Sequence, residues 1–507
     1  MIRTIETGPG SGGHPVSLQS SCPIERRDSP LVSLQWIPQN EGADKFQKII
    51  IPGGFSGYTT RTMNNQREQW NTRFGFILAS VGSAVGLGNI WRFPTMVVQN
   101  GGGAYVALFL LAVLLVGVPT LIVELTLGRK SQRNIVSTFI HLAPKRSWWF
   151  VGAIGLLAVV VILSFYSAIA GWILIYFVGS AMGVFSGLNA GELAEVYTNI
   201  VSNPVLPVLG QGFFIAVTVL VVMTGVTKGI ERWSKLLMPG ILLILFLLLG
   251  RTLLLDGAAE GILWFLRPNL ELMTVQNALS ALGQVFFSFS LGMGAILTYG
   301  SYLSKKENIP QSAMYIGMFD VAVAILMGLI VAPAFLIFNV QPEVGPGVIF
   351  ITLPSIFNTI PGGIIWSTLF FLMVAFASLT SSVSMIEVGV AYFLDEKRWS
   401  RRNATILFGL IIFLVGIPST LSQGIWSDFR IFGRTILDFM DFTASSILLP
   451  VGGLLTVVFL AWIWGTDQAV RELNRGPHTF HWERQWSFVV RYIVPAAILY
   501  VFVSGII

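Results

Sequence analysis

The chain has 507 residues, of which 54% are hydrophobic and only 11% charged, with a net charge of +6. A soluble domain carries about 25% charged residues, so the composition excludes a soluble globular protein and describes a chain that crosses a membrane many times. One cysteine, Cys22, excludes an intrachain disulfide and a cysteine-based metal site. The four histidines (His14, His141, His478 and His481) stand outside the apolar runs, which argues against a buried histidine proton relay.

Residues 1 to about 65 are polar, contain Gly and Ser, and hold no apolar span or signal-peptide core. They read as a disordered cytoplasmic extension ahead of a membrane domain over 66–507. Met63 opens the run MNNQREQW directly before the first span and is an alternative start of translation. Eleven apolar runs follow, at about 74–97, 103–128, 149–182, 209–226, 234–255, 276–303, 311–338, 364–394, 403–418, 434–464 and 487–506. Their lengths suit membrane helices rather than barrel strands. The fold class is therefore all-α integral membrane. Val348–Ile360 is apolar but short and interrupted by Pro354, so it reads as a re-entrant or capping element.

Two spans are interrupted. The first carries Gly82, Ser83, Ala84, Gly86, Gly88 and Asn89 at its centre, in the run VGSAVGLGN. The sixth carries FFSFSLGMG over Phe286–Gly294. Breaking a helix inside hydrocarbon frees backbone N–H and C=O groups, which only protein or a cavity can satisfy. Five spans separate the two breaks, an odd offset, so two five-helix units would have opposite orientations. That predicts a five-plus-five inverted repeat, about 74–255 and 276–464, with an eleventh helix at about 487–506. Paired interruptions of this kind point to a transport site near the membrane midplane.

Basic residues gather in alternate loops: Arg129, Lys130, Arg133, Lys145 and Arg146; Lys228, Arg232 and Lys235; Lys305 and Lys306; Lys397, Arg398, Arg401 and Arg402; and Arg471, Arg475 and Arg484. These are the cytoplasmic loops by the positive-inside rule. The amino terminus is then cytoplasmic and the carboxyl terminus, after eleven spans, extracellular, in a multi-pass protein of the cytoplasmic membrane. The positive charge is thus explained by membrane topology, and no nucleic acid is implied. Asp320 lies within the apolar run IGMFDVAVAILMG and Arg92 within the first span. Charges inside a membrane are costly and are usually functional.

The run Gly86-Leu87-Gly88-Asn89-Ile90-Trp91-Arg92-Phe93-Pro94, followed by Asn100-Gly101-Gly102-Gly103-Ala104, resembles the first-helix signature of the neurotransmitter:sodium symporter family. Further matches follow in family order: Gly117-x-Pro119 with Glu124 and Gly128-Arg129, Lys228–Arg232, Gly283–Phe287, Leu379–Ser382 and Met440-Asp441-Phe442. The resemblance covers the chain from about residue 67 onward. Its members most similar to this chain are prokaryotic eleven-helix sodium-coupled amino-acid symporters.

The resemblance implies two sodium sites. The first uses the Ala84 carbonyl, Asn89, Ser288 and Asp320. The second uses the carbonyls of Gly82, Val85 and Ala377 with the hydroxyls of Thr380 and Ser381. Small residues and hydroxyls also serve close helix packing, and for Thr380 and Ser381 taken alone the two readings stand level. Gly86 replaces the aspartate of amine-transporting relatives, so the substrate must bring its own carboxylate. Tyr166 matches a tyrosine that binds that carboxylate. The substrate site implied comprises Ser83, Ala84, Leu87, Gly88, Ile162, Tyr166, Phe287, Ser288, Ser290, Met293, Ser381 and Met385. It carries no charge, which suits a neutral amino acid, with a leaning toward hydrophobic or aromatic ones. Phe109 replaces the tyrosine that holds chloride in chloride-dependent relatives, and Asp320 supplies a fixed negative charge, so no chloride is expected. Two charge pairs resemble gates: Arg92 with Asp441 on the outer side, and Arg67 with Asp395 near Ser301 and Tyr302 on the inner side.

No metalloprotease motif, nucleophile elbow or P-loop lysine motif occurs in the sequence, so the chain is not expected to be an enzyme or to use ATP. The expected partners are a small amino-acid substrate and membrane lipid; nothing in the sequence calls for an obligate protein partner. An amino-acid-gated channel or sensor on the same scaffold remains the alternative.

Overall fold

A computed structural model describes residues 67–338, 347–475 and 479–506; the extension of residues 1–65 and the Met63 start lie outside the described residues. The described chain is almost entirely helical. In hydrocarbon only a helix satisfies its own backbone within a single segment, and the long apolar runs of the sequence leave no other structure open to it. A broken first span consists of α1 (Arg73–Ala84) and α2 (Gly88–Gln99), which meet at a bend of 59°. Then come α3 (Gly103–Ser131), α4 (Ile135–Leu142), α5 (Trp149–Ala181), α6 (Ala190–Ser202), α7 (Leu206–Met223), α8 (Val226–Leu253) and α9 (Ala258–Leu266). The second half holds α10 (Val275–Ser288), α11 (Ala295–Gly300), α12 (Ile309–Ile337), α13 (Val348–Thr359), α14 (Gly363–Lys397), α15 (Arg401–Leu421), α16 (Ile436–Leu473) and α17 (Glu483–Gly505).

Among the described residues, nine helices are long and apolar enough to cross a membrane, and the α1–α2 pair makes a tenth crossing. These follow the expected runs to within a few residues, except that α8 begins earlier and α16 runs on to Leu473. The last two turns of α16, Thr466–Leu473, follow a break at Gly465, whose φ is +101°. Val348–Thr359 is a short helix, as its length requires, and its Phe350 packs into a cluster of aromatic rings with Tyr176 and Tyr197. The short helices α4, α6 and α9 were not anticipated, because hydropathy finds spans and not the amphipathic segments between them. Helix α6 does announce itself locally: the Asn189 side chain accepts from the Glu192 amide and Glu192 reaches back to the Asn189 amide, a capping box.

Helix α1 lies against α8, α12 and α14, while α14 also packs along α5. Every residue of α1 from Gly75 to Ala84 is buried, so the broken span runs through the protein interior and not along lipid. Close approach depends on small residues. A Cβ on Gly128 of α3 would collide with the Leu297 carbonyl oxygen of α11, and one on Gly171 of α5 would lie 2.5 Å from the Gln211 amide nitrogen of α7. Overpacking against backbone costs about 1–3 kcal/mol. Gly128→Ala is therefore expected to lower the melting temperature in detergent measurably. Gly250→Ala, with no atom within 4 Å of the added carbon, should leave it unchanged or raise it, since alanine suits a helix better.

Candidate ion and substrate site at two facing helix breaks

Helix α1 stops at Ala84 because Val85 turns to an extended conformation, and α2 resumes at Gly88. Helix α10 stops at Ser288 and α11 resumes at Ala295, with positive φ at Ser290, Gly292 and Gly294 between them. The two breaks are bonded to each other. Gln284 Nε2 donates to the Gly88 carbonyl at 2.9 Å, and Ser290 Oγ donates to the Ser83 carbonyl at 2.8 Å. A third element holds the second break in place. The buried carboxylate of Glu124 on α3 accepts from the amides of Gly292 at 2.8 Å and Leu297 at 3.3 Å. Two carbonyls at the first break and two amides at the second are thereby satisfied inside the protein.

Three of the expected residues meet between the breaks. Asn89 Nδ2 lies 2.9 Å from Asp320 Oδ1 and 3.0 Å from Ser288 Oγ, and Ser288 Oγ donates to Asp320 Oδ2 at 2.6 Å. All three side chains are buried. Ala84 ends the helix one turn before Asn89. The donors around Asp320 are neutral, and among the described residues no cationic side chain pairs with it. A buried carboxylate so placed is an uncompensated charge, and the surrounding oxygens are what a hard cation prefers. The set fits sodium.

A second group lies where α1 meets α14. Ser381 Oγ stands 3.3 Å from the Gly82 carbonyl and 3.2 Å from that of Val85, while Thr380 Oγ1 donates to the Ala377 carbonyl at 3.0 Å. One hydroxyl proton cannot serve two carbonyls at once, so oxygens of Gly82, Val85 and Ser381 converge with one proton among them. Thr380 packs directly on Gly82. This donor set also fits sodium, with the five expected residues brought together.

Gly86 lies between the two groups. A Cβ there would sit 2.8 Å from Ser381 Oγ and 3.1 Å from the Tyr166 hydroxyl. The Tyr166 hydroxyl is buried and has no well-formed hydrogen bond among the described residues. It borders a cavity of about 330 Å³ lined also by Leu87, Arg92, Phe165, Phe287 and Asp441. Gly88 touches the Phe287 ring, so this aromatic side chain forms the floor at the first break. Ser83 Oγ donates to Ser384 Oγ at 2.7 Å. Ile162, Ser290, Met293 and Met385 are buried and do not line the cavity.

The two expected gates differ. Arg92 and Asp441 both line the cavity without forming an ion pair; the Arg92 guanidinium lies 4.8 Å from the centre of the Phe287 ring, and Asp441 accepts from Ser445. At the other end Arg67 Nη1 is 2.5 Å from Asp395 Oδ2, Arg67 Nε donates to Ser301 Oγ at 3.1 Å, and the guanidinium covers the Tyr302 ring at 4.7 Å. Sequence reasoning missed the residues that complete this seal. Asp395 also accepts from the Asn134 amide at 2.6 Å. The Tyr302 hydroxyl donates to Glu387 at 2.5 Å, and Arg401 grips the same buried carboxylate with both terminal nitrogens at 2.8 and 3.0 Å. Trp70 Nε1 donates to the Tyr299 carbonyl at 3.0 Å. Glu387 did carry a signal: it is the one acid in the long apolar run of α14 before Asp395.

Comparison with known proteins bears directly on this geometry. The profile of the sodium:neurotransmitter symporter family matches residues 67–186 and 210–507. The chain belongs to this family. It is a multi-pass sodium-coupled transporter and not an enzyme. A solved structure, MhsT in complex with L-phenylalanine, is similar with a TM-score of 0.80 and 42% identity, over 87% of this chain and 100% of that one. The uncharacterized sodium-dependent transporter YhdH of Bacillus subtilis is 41% identical over 87% of this chain and 98% of its own length. The sodium-dependent neutral amino acid transporter B(0)AT2 of Mus musculus is 24% identical over 88% of this chain and 73% of its own length.

The Arg67 bonds tie the segment before α1 to Ser301 and to Asp395 of α14. Hydrogen bonds to charged groups contribute about 1.5–3 kcal/mol, so Arg67→Ala should shift the molecule toward a state open on that side. In a Cys22→Ser, Thr298→Cys background, where position 298 is fully buried, the thiol should react with a charged maleimide about tenfold faster once Arg67 is replaced.

Proposed function

We propose that this transporter couples inward sodium flow to uptake of a neutral amino acid with an apolar or aromatic side chain, by alternating access and without chloride. The observation that carries the reading is the buried Asp320 carboxylate, bonded only by the neutral donors Asn89 and Ser288 between two broken helices. Sodium there, beside the Ala84 carbonyl, neutralises that charge. The substrate carboxylate then completes the ion's oxygen shell, near the start of α2, where the helix dipole favours an anion, and within reach of the Tyr166 hydroxyl. A second sodium between α1 and α14 is held by Gly82, Val85, Ala377, Thr380 and Ser381. It ties the first break to a helix that does not itself break.

The remaining substrate residues are Ser83, Leu87, Gly88, Ile162, Phe287, Ser290, Met293 and Met385. They are apolar or uncharged, which supports a neutral substrate, and methionine adapts its shape to bulky ones. MhsT with phenylalanine and the neutral amino acid transporter support the same choice. Asp320 provides the negative charge that relatives obtain from chloride. The sealed end carries Arg67, Arg129 and Arg401, so we assign it to the cytoplasm by the positive-inside rule. The cavity end, with Arg92 and Asp441 apart, then faces outward. In this reading α10 and α11 together form the sixth crossing, which brings the count to eleven, α1–α8 and α10–α16 are the inverted repeats, α17 stands outside them, and the carboxyl terminus is extracellular.

Thermal-shift measurements on the purified chain test the coupling. A large hydrophobic amino acid is expected to raise the melting temperature in sodium and not in potassium. In proteoliposomes, uptake should saturate, concentrate substrate and follow the sodium gradient; flux that only equilibrates would favour a gated channel instead. Replacing chloride with gluconate should leave uptake by the unaltered protein intact. Asp320→Asn should lose most of it, by about tenfold or more, in the chloride-free medium, since a buried charge partner contributes several kcal/mol.

A further inference from the structure

The last two helices line an open cavity of about 500 Å³ that shares no residue with the candidate ion and substrate site. It lies where α16 ends and α17 begins. Its walls carry Arg471 from α16 and Arg484 and Arg491 from α17, with Asp467 and Glu483 as the acidic members. Among the described residues none of the three arginines is in an ion pair. Arg491 Nη2 donates to Thr466 Oγ1 at 2.9 Å, while its buried Nε has no partner. Glu483 is occupied by the Asn474 amide at 2.5 Å. Three arginines thus line one hollow with two acids, and among the described residues no ion pair joins them.

The position of this hollow narrows what it binds. Arg129 of α3 bonds Glu472 and the Glu307 carbonyl, and Glu307 pairs with Arg73 at 2.8 Å. The end of α16 therefore lies on the same side of the protein as the sealed Arg67–Asp395 pair. Helix α17 is the least buried of the crossing helices, so its outer face meets lipid. Phe488 and Tyr492 line the same cavity, are 57% and 55% exposed, and sit ring to ring at 5.3 Å. Trp482, next to them along the chain, is 67% exposed. Aromatic rings of this kind mark the level of lipid headgroups. A free phosphate ion would use the arginines and leave the aromatic wall without a role.

We propose that this cavity is a headgroup site for an anionic phospholipid, whose phosphate sits among Arg471, Arg484 and Arg491 and whose chains run along Phe488 and Tyr492. Basic pockets between membrane helices on the positively flanked side take such headgroups. The site couples the helix outside the proposed repeats to the end of α16, which Arg129 ties to α3.

Native mass spectrometry of the full chain tests this. The protein is equilibrated with equal amounts of phosphatidylglycerol and phosphatidylcholine of the same chain length. The expected result is retention of phosphatidylglycerol over phosphatidylcholine, and a loss of its affinity by about thirtyfold in the Arg471→Gln, Arg484→Gln double variant, near fivefold for each arginine removed at a membrane surface. Both side chains are exposed, and an unchanged melting temperature in lipid-free detergent checks that the variant folds. Equal retention of the two lipids, or phosphatidylglycerol binding unchanged in the double variant, overturns the proposal. Glycerol 3-phosphate and inorganic phosphate separate the sources. If either displaces the lipid at a concentration comparable to the lipid's own, the site is one for a soluble phosphate and the lipid assignment fails.

Discussion

A helix that stops inside a membrane must have its freed polar groups satisfied by the protein, and the structure turns on how this chain meets that demand twice in one place. Each break answers part of the other. Gln284 reaches from α10 to the Gly88 carbonyl, and Ser290 reaches from the second break to the Ser83 carbonyl. Glu124 takes two amides that the second break would otherwise leave bare. What is left over is the Asp320 carboxylate and a set of oxygens, a donor set that suits a hard cation. In the proposed reading the ion's ligands come from both breaks, so filling the site and fixing the two breaks relative to each other are one event. A sodium gradient can act on such a device without any covalent chemistry.

The two ends of the molecule are built on different principles. At the sealed end the segment before α1 is a plug held by many directed bonds. Arg67 meets Asp395 and Ser301, the Trp70 amide donates to the Tyr302 carbonyl at 3.2 Å, and Glu231 of α8 accepts from the Asn71 amide and the Thr72 hydroxyl, each at 2.8 Å. Glu387 and Arg401 hold Tyr302 from the far side. At the cavity end, Arg92 rests on an aromatic face and Asp441 bonds its own helix. In the proposed cycle, opening the first end means breaking this whole set of bonds, whereas at the second end no ion pair between Arg92 and Asp441 has to be broken.

Much of this was legible in the sequence, for reasons that differ by element. The long spans follow from hydropathy, because a membrane leaves few alternatives to a twenty-residue apolar helix. The breaks follow from glycine clusters that no lipid-facing helix has use for. Asp320 and Arg92 stood out because charge is rare at that depth. The short helices α4, α6 and α9 did not stand out, since they are neither long nor uniformly apolar. Glu387, Arg401, Asn134 and Trp70 were missed for another reason: their roles depend on partners up to more than two hundred residues away, and only the packed structure brings them together. That Arg92 and Asp441 form no ion pair was equally invisible, because a sequence names two charges and not how far apart they lie.

The second break also shows why glycine and serine divide the work there. Gly292 and Gly294 have φ of +83° and +77°, and a side chain on either would collide with its surroundings, the Leu449 carbonyl in one case and the Ile135 side chain in the other. Both conformation and space demand glycine. Ser290 adopts φ of +53° as well, a conformation that costs a residue with a Cβ roughly 1–2 kcal/mol. Glycine would remove that cost, but it has no hydroxyl to give the Ser83 carbonyl, and a bare carbonyl in a buried site costs about as much or more. The strain at Ser290 is thus offset by a bond that only a side chain can make. Met293 stands between these two glycines, so where its side chain starts is decided by their backbone, which Glu124 bonds at Gly292 and Ile135 crowds at Gly294. In the proposed reading, where Met293 meets the substrate, Glu124 and the glycines bear on the pocket as much as the side chains that touch the substrate.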